Sequence, residues 1–335
     1  MNQSVKLDIS IWSIVKVFLV GAIFYLLFLV RDIIALFFIV LVFAAAFRPI
    51  INRWERKIGR IFSVLALLVL IILAIVLVVY LIVPPVISQS RQLIQNIPDI
   101  LDKYSFIRGH IPSINEGINT FTKNIGNITN SFVLITAGIF GGVIAFFAAI
   151  VMTIYLLLDK NGIPSFIRSV VSPNHQSAVM ALVQKITQKV GNWFRGQMAL
   201  GAIIGVLDLI GLLIIGVPYA LTLAVVSAVM EIIPTIGPLV SGLIAILITL
   251  SVSPIKALFV LILYVIVQQI ENSFIVPKVM QKAVGLSPVV IILAILTGAK
   301  LLGVVGAILA VPIAASISVV VQEWPTIREV YKNNE

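Results

Sequence analysis

Apolar residues in this chain come in unbroken blocks. The stretch 12–30 holds one charge, Lys16, and the stretches 62–83 and 132–158 hold none. A hydrocarbon core about 30 Å thick takes about 20 apolar residues at about 1.5 Å rise each. The blocks meet that length. Unpaired backbone groups cannot face lipid, so each block must be a helix. Continuous runs such as 65–77 lack the alternation of a membrane strand. The pattern predicts an all-α, polytopic helical membrane protein with about eight hydrophobic segments, including broken or re-entrant helices in the C-terminal half.

Charge sets the expected orientation. Arg48, Arg53, Arg56, Lys57 and Arg60 fall in one short stretch, and Lys160, Arg168, Lys185, Lys189 and Arg195 in another. The positive-inside rule places both in the cytoplasm, with membrane lipids as their partner. Residues 1–83 then form N-terminal transmembrane helices 1–3, with spans at 12–30, at 33–47 ending on Arg48-Pro49, and at 62–83 stopping on Pro84-Pro85. The first block runs into Arg31-Asp32 with no small-residue cleavage pattern after it, so it reads as a span and not a signal peptide.

Residues 84–131 read as an extracytoplasmic amphipathic helical segment. Ile111, Ile114, Ile118, Phe121, Ile125 and Ile128 form a heptad-like stripe, and Ile87, Ser90, Ile94, Ile97 and Leu101 a second. Such stripes suit a self-packed hairpin or a contact between copies, hence a homo-oligomer. Transmembrane helix 4 spans 132–158. A cytoplasmic amphipathic helix over 159–196 opens at Ser172-Pro173 and lays Val179, Leu182, Val183, Ile186, Val190 and Trp193 on the inner leaflet. Residues 197–322 form a transmembrane core with broken helices, and 323–335 a cytoplasmic tail. Gly211-x5-Val217-Pro218 echoes Gly306-x4-Val311-Pro312, the kind of internal repeat found in carriers.

Composition agrees with lipid as the solvent: 61% of the 335 residues are hydrophobic and 11% charged, too few to clothe a soluble surface. The net charge of +10 sits in clusters between spans, which argues against nucleic acid as a partner. With no cysteine and two histidines, His110 and His175, nothing calls for a metal or a cofactor. No phosphate-binding G-x-x-x-x-G-K-[ST], H-E-x-x-H or G-x-S-x-G motif occurs, so the chain does not read as an enzyme.

Three carboxylates lie in apolar sequence: Asp208, Glu231 and Glu271. An acid near the bilayer centre costs about 2.5 to 3.5 kcal/mol on insertion scales and needs a compensating reason, such as a bound proton or cation. Glu231 stands one turn before Pro234. Pro234 and Pro238 lack an N–H and Gly237 permits a sharp turn, so carbonyls freed there would join the carboxylate in holding an ion or solute. The alternative is a carboxylate that caps a broken helix. Gln268, Glu271 and Asn272 form a polar strip on one span, either part of the same site or a contact with a neighbouring span. Asp208 is expected to pair with a lysine or arginine elsewhere, and Arg195-Gly-Gln197 to anchor its span at the headgroups.

From here the sequence resembles a known family. Arg195-Gly-Gln197, Gly216-Val-Pro-Tyr-Ala220, Ile233-Pro-Thr-Ile-Gly-Pro238, Gln268-Gln-Ile-Glu-Asn272, Pro277-Lys-Val-Met280, Val284-Gly-Leu-Ser-Pro288, Gly303-Val-Val-Gly306 and Val311-Pro-Ile-Ala314 follow the order and spacing of the AI-2E family, the autoinducer-2 exporter family of bacterial transporters. Asp208 lies outside those motifs. The resemblance implies a helical inner-membrane protein that exports a small polar solute, autoinducer-2 in some members. Others resemble Na⁺(Li⁺)/H⁺ antiporters. The expected function is secondary export coupled to protons or ions, the alternative is cation/proton antiport, and a further alternative is a passive channel or membrane scaffold.

Overall fold

The structure is a computed structural model. It describes residues 11–103, 143–250, 252–280 and 285–332. The described residues are almost entirely helical, with no strand among them. Helix α1 (Ile11–Leu29) breaks from α2 (Arg31–Ile58) at Val30, and α3 (Arg60–Lys103) follows across Gly59. Then come α4 (Val143–Leu158), α5 (Gly162–Val170), a single 3₁₀ turn (Pro173–His175), α6 (Gln176–Ile215), α7 (Ala220–Met230) and α8 (Ile236–Leu250). Helix α9 (Pro254–Ile270) passes through one π-helical turn (Glu271–Ile275) into α10 (Val276–Met280), and α11 (Pro288–Lys332) closes the described chain. Five helices among the described residues are long and apolar enough to cross a bilayer, and a sixth crossing exists if α4 and α5, bent by 84°, count as one broken span.

Helix α6 is the central post. It packs against α2, α7, α9, α10 and α11. Apolar association gains little in lipid, so close packing and small residues must hold the bundle. At the α2–α6 crossing, Phe43 meets Phe194 edge to face at 5.1 Å, with Trp193, Val190 and Ala46 buried around them. The outer faces of α1 and α3 are covered in exposed Leu, Ile, Val and Phe, as a lipid-facing surface requires.

Basic residues tie one end of the bundle together. Arg60 donates through Nε to the Leu158 carbonyl at 2.9 Å and Arg48 through Nη2 to the Lys160 carbonyl at 3.0 Å, so both cap the C-terminal end of α4. Glu55 pairs with Arg60 at 3.1 Å and with Lys160. The Asp159 carboxylate then accepts the N–H groups of Asn161 and Gly162, each at 2.9 Å, and starts α5.

The last part of the chain contains two helical hairpins, separated by α9 and α10. In the first, α7 and α8 run about 16 and 22 Å, short of a full bilayer crossing. It enters from the end of α6 opposite the basic residues, where Lys256 holds the Gly216 carbonyl at 2.6 Å. The second is α11, which folds back at Leu302 and Gly303, where helical geometry is lost. Backbone meets backbone there: a Cβ on either Gly298 or Gly306 would overlap the other's carbonyl. Its returning limb reaches the basic end, where Lys185 pairs with Glu323 at 2.6 Å and Lys189 donates to Ser318 at 2.9 Å. The two hairpins therefore enter from opposite ends. Ile232 and Ile233 at the tip of the first pack into the core that holds Ile295 and Ala310 of the second.

Several sequence expectations need correction. Neither Arg48-Pro49 nor Pro84-Pro85 ends a helix, since α2 and α3 run through both. The segment 159–196 is not one separate amphipathic helix. Its latter part is the first half of α6, and Val190 and Trp193 face the protein core. Ser172 precedes the turn that opens it but makes no side-chain cap. The supposed repeat does not match in structure: Val217-Pro218 lies in a loop, Val311-Pro312 inside a helix. The stripe over 111–128 and His110 lie outside the described residues. The second stripe falls on the helical tail of α3, where the helix itself is described.

Candidate functional site

One face of α6 builds the site. Gln197, Gly201, Ile204, Gly205 and Asp208 are all buried and recur at steps of three and four. The two glycines let α7 come close. A Cβ on Gly201 would stand 2.5 Å from the Ala228 carbonyl, and one on Gly205 would stand 2.8 Å from the Ala228 side chain. This approach sets Ser227 and Glu231, at the end of α7, opposite Gln197 and Asp208.

The break after Met230 has a defined geometry. Thr235 adopts φ of 66°, in the left-handed region that a β-branched residue rarely occupies. Gly237 follows, and a Cβ there would overlap the Met230 carbonyl, so only glycine fits this return. The carbonyl of Pro234 accepts the Ile236 N–H at 2.8 Å and the Thr235 hydroxyl at 2.6 Å. The Pro238 carbonyl accepts the Ser241 hydroxyl at 3.2 Å. Pro234, Gly237 and Pro238 thus shape the tip, and the carbonyls of Pro234 and Pro238 are engaged within it.

The carboxylates are placed differently. Asp208 and Glu231 are each 1% exposed and Glu271 is 4% exposed. They face one another closely enough to interact electrostatically. Gln197 donates its side-chain amide to the Glu231 main-chain carbonyl and, at 3.4 Å, to Glu231 Oε1. Among the described residues, Glu231 Oε2 and both Asp208 oxygens are buried and accept no well-formed hydrogen bond. Among the described residues Asp208 has no ion pair, contrary to the sequence expectation. Ser227 stands beside it, joined to the Tyr264 hydroxyl at 2.9 Å. Gln268 donates to Glu271 Oε2 at 3.5 Å.

Glu271 opens the π-helical turn, where the wider coil rotates its side chain relative to a regular helix. Such turns recur at functional sites. Asn272, one residue on, is exposed and lies off the cluster. Among the described residues no three carboxylate or histidine side chains converge as a metal site.

Three polar residues of the cluster, Gln197, Ser227 and Tyr264, were not among the sequence candidates. Gln197 carried a readable signal: it precedes Asp208 by eleven residues, three helical turns, on one stripe. Arg195, expected as an anchor of its span, is tied to α2 and to its own helix. Its guanidinium donates to the Ala46 carbonyl at 2.7 Å, the Ala45 carbonyl at 3.5 Å and Asn192 at 2.6 Å.

The chain was compared with known proteins. The pattern that defines the "AI-2E family transporter" proteins matches residues 13–326. The chain is similar to YueF of Bacillus subtilis, 27% identical over 81% of this chain and 78% of the relative. It is similar to YrrI of the same organism, 27% identical over 80% of each. PerM of Escherichia coli K12 is 25% identical over 82% of this chain and 80% of its own length. YueF and YrrI carry transport-protein names and PerM a permease name.

Proposed function

The chain belongs to the AI-2E family of transporters, with the multi-pass helical build of a membrane protein, and from that premise we propose that it is a bacterial inner-membrane secondary exporter. Its cargo is a small polar solute of the autoinducer-2 kind, moved in exchange for protons. The basic end faces the cytoplasm with both termini, and the protein works as a homo-oligomer.

One observation carries this reading: buried Glu231 sits at the tip of a broken helical hairpin, with buried Asp208 on α6 and buried Glu271 on the π-helical turn within electrostatic reach, and three oxygens of Glu231 and Asp208 have no hydrogen-bond partner among the described residues. Charge buried in this way must be balanced by a proton or a cation. Broken helical hairpins entering from opposite ends around such a cluster are a build that carriers use for their substrate sites. Reconstitution tests it. Efflux of labelled solute from proteoliposomes should follow an imposed pH gradient in the wild type and lose that dependence in Glu231→Gln and Glu271→Gln. Equal rates in all three would end the proton-coupling reading.

Cation/proton antiport is favoured by a separate feature. The buried Asp208 carboxylate stands beside the Ser227 hydroxyl, an all-oxygen setting suited to a hard cation. Na⁺/H⁺ exchange without any solute would support this reading over export.

A further inference from the structure

A cavity against the first half of α6, lined by none of the three carboxylates, has a different chemistry. It has a volume of about 470 Å³ and lies at the basic end among α2, α5 and α6. Its size falls in the range of small-ligand sites. Arg48 and Arg195 line it, with no carboxylate. Both guanidiniums are held by neutral main-chain carbonyls: Arg48 by Lys160, Arg195 by Ala45 and Ala46. Those bonds fix the two groups in place without cancelling their charge. The first turn of α5, through Ile163 and Pro164, forms part of the same wall, and its leading N–H groups are already taken by Asp159.

An adjoining cavity of about 520 Å³ shares Arg48 and Asn52 and adds Arg56, Lys160 and Glu55. The one acid there already has Arg60 and Lys160 as partners. The surplus positive charge therefore remains. The other polar walls of the first cavity are the neutral side chains of Asn52, Gln184, Thr187 and Gln188, and Met180 and Val183 supply an apolar patch.

We propose that this cavity is a binding site for a hydroxylated phosphate ester, with Arg48 as its principal anchor. A guanidinium binds phosphate through two parallel N–H donors. The amides bind hydroxyl groups, and the apolar patch accepts a short carbon skeleton. Two sources share this chemistry: the glycerol-phosphate headgroup of an anionic phospholipid and a free polyol phosphate. The site is separate from the carboxylate cluster and does not depend on the transport reading.

The test uses the full chain in detergent and has two arms. Calorimetric titration with glycerol 3-phosphate probes the free ester. Native mass spectrometry with phosphatidylglycerol, against phosphatidylcholine, probes the lipid. Saturable binding in the first arm alone assigns the free ester, and retention of phosphatidylglycerol over phosphatidylcholine in the second alone assigns the lipid headgroup. Binding in both supports the shared chemistry. Arg48→Gln should weaken whichever binding is seen at least tenfold, while Lys57→Gln, which removes the same charge from an exposed position on the same helix end, should leave it unchanged. Gln188→Leu leaves the Arg48–Lys160 bond intact and should also weaken binding, which separates ligand contact from loss of fold. No binding in either arm, or equal losses from Arg48→Gln and Lys57→Gln, would overturn the assignment.

Discussion

Gln197 on α6 holds Glu231 at two points, donating to its main-chain carbonyl and to one carboxylate oxygen. The contact ties the central helix to the tip of the α7–α8 hairpin and leaves the second carboxylate oxygen free. Replacing Gln197 with leucine strips a buried carbonyl of its donor, which costs about 1 to 3 kcal/mol. Thermal unfolding in detergent should show Gln197→Leu less stable than wild type by that amount. An unchanged midpoint would mean that the contact bears no weight.

The approach of α7 to α6 depends on the absence of a side chain at Gly201. Gly201→Val would push the Ala228 backbone outward, at a cost of about 1 to 3 kcal/mol for overpacking, and carry Ser227 and Glu231 away from Asp208. Solute flux in proteoliposomes should fall at least tenfold. The same change at Gly21, which has open space around it, should leave flux intact.

Pro49 and Arg195 act as a pair across the α2–α6 crossing. Proline at 49 has no N–H to offer the carbonyl four residues back, Ala45. Arg195 supplies a donor there and at Ala46. Arg195→Ala should therefore cost about 1.5 to 3 kcal/mol, the range for hydrogen bonds to a charged group. On a Pro49→Ala background, where Ala45 regains its helical partner, the same change should cost less. A double-mutant cycle of thermal midpoints measures the difference, and strict additivity would refute the pairing.

The same pair explains where sequence reading stopped short. Long apolar blocks and the Glu231-to-Pro238 break were legible because lipid thickness and proline chemistry leave few options. Pro49 and Pro84-Pro85 read as helix stops because a proline removes a donor, but the sequence does not show the donor that replaces it. At Pro49 that donor comes from a residue 146 positions away. At Pro84-Pro85 the freed carbonyls fall at the end of the apolar run, where water or headgroups can solvate them. The three carboxylates were visible as charges in apolar sequence, and Gln197, though not singled out, shares the helical stripe of Asp208. Ser227 and Tyr264 were not, because they sit in ordinary apolar helices and only the hairpin fold brings them to Asp208. The π-turn that sets Glu271 apart from exposed Asn272 had no readable sign either.

Orientation is open to direct chemistry because the chain has no cysteine. Single cysteines at Lys57 and Asn174, both exposed at the basic end, should react with a membrane-impermeant maleimide only after cells are opened. A cysteine at exposed Val252, between α8 and α9, should react in intact cells. Labelling of all three from the same side would reject the opposed hairpins as drawn.

The proposed exchange of protons for solute at Glu231 is tested most directly by following the protons themselves. Proteoliposomes carrying a trapped pH-sensitive dye and loaded with autoinducer-2 should acidify internally as solute leaves down its own gradient, and Glu231→Gln should abolish that acidification. Solute efflux with no internal pH change in the wild type, or the same acidification in Glu231→Gln, would contradict the account.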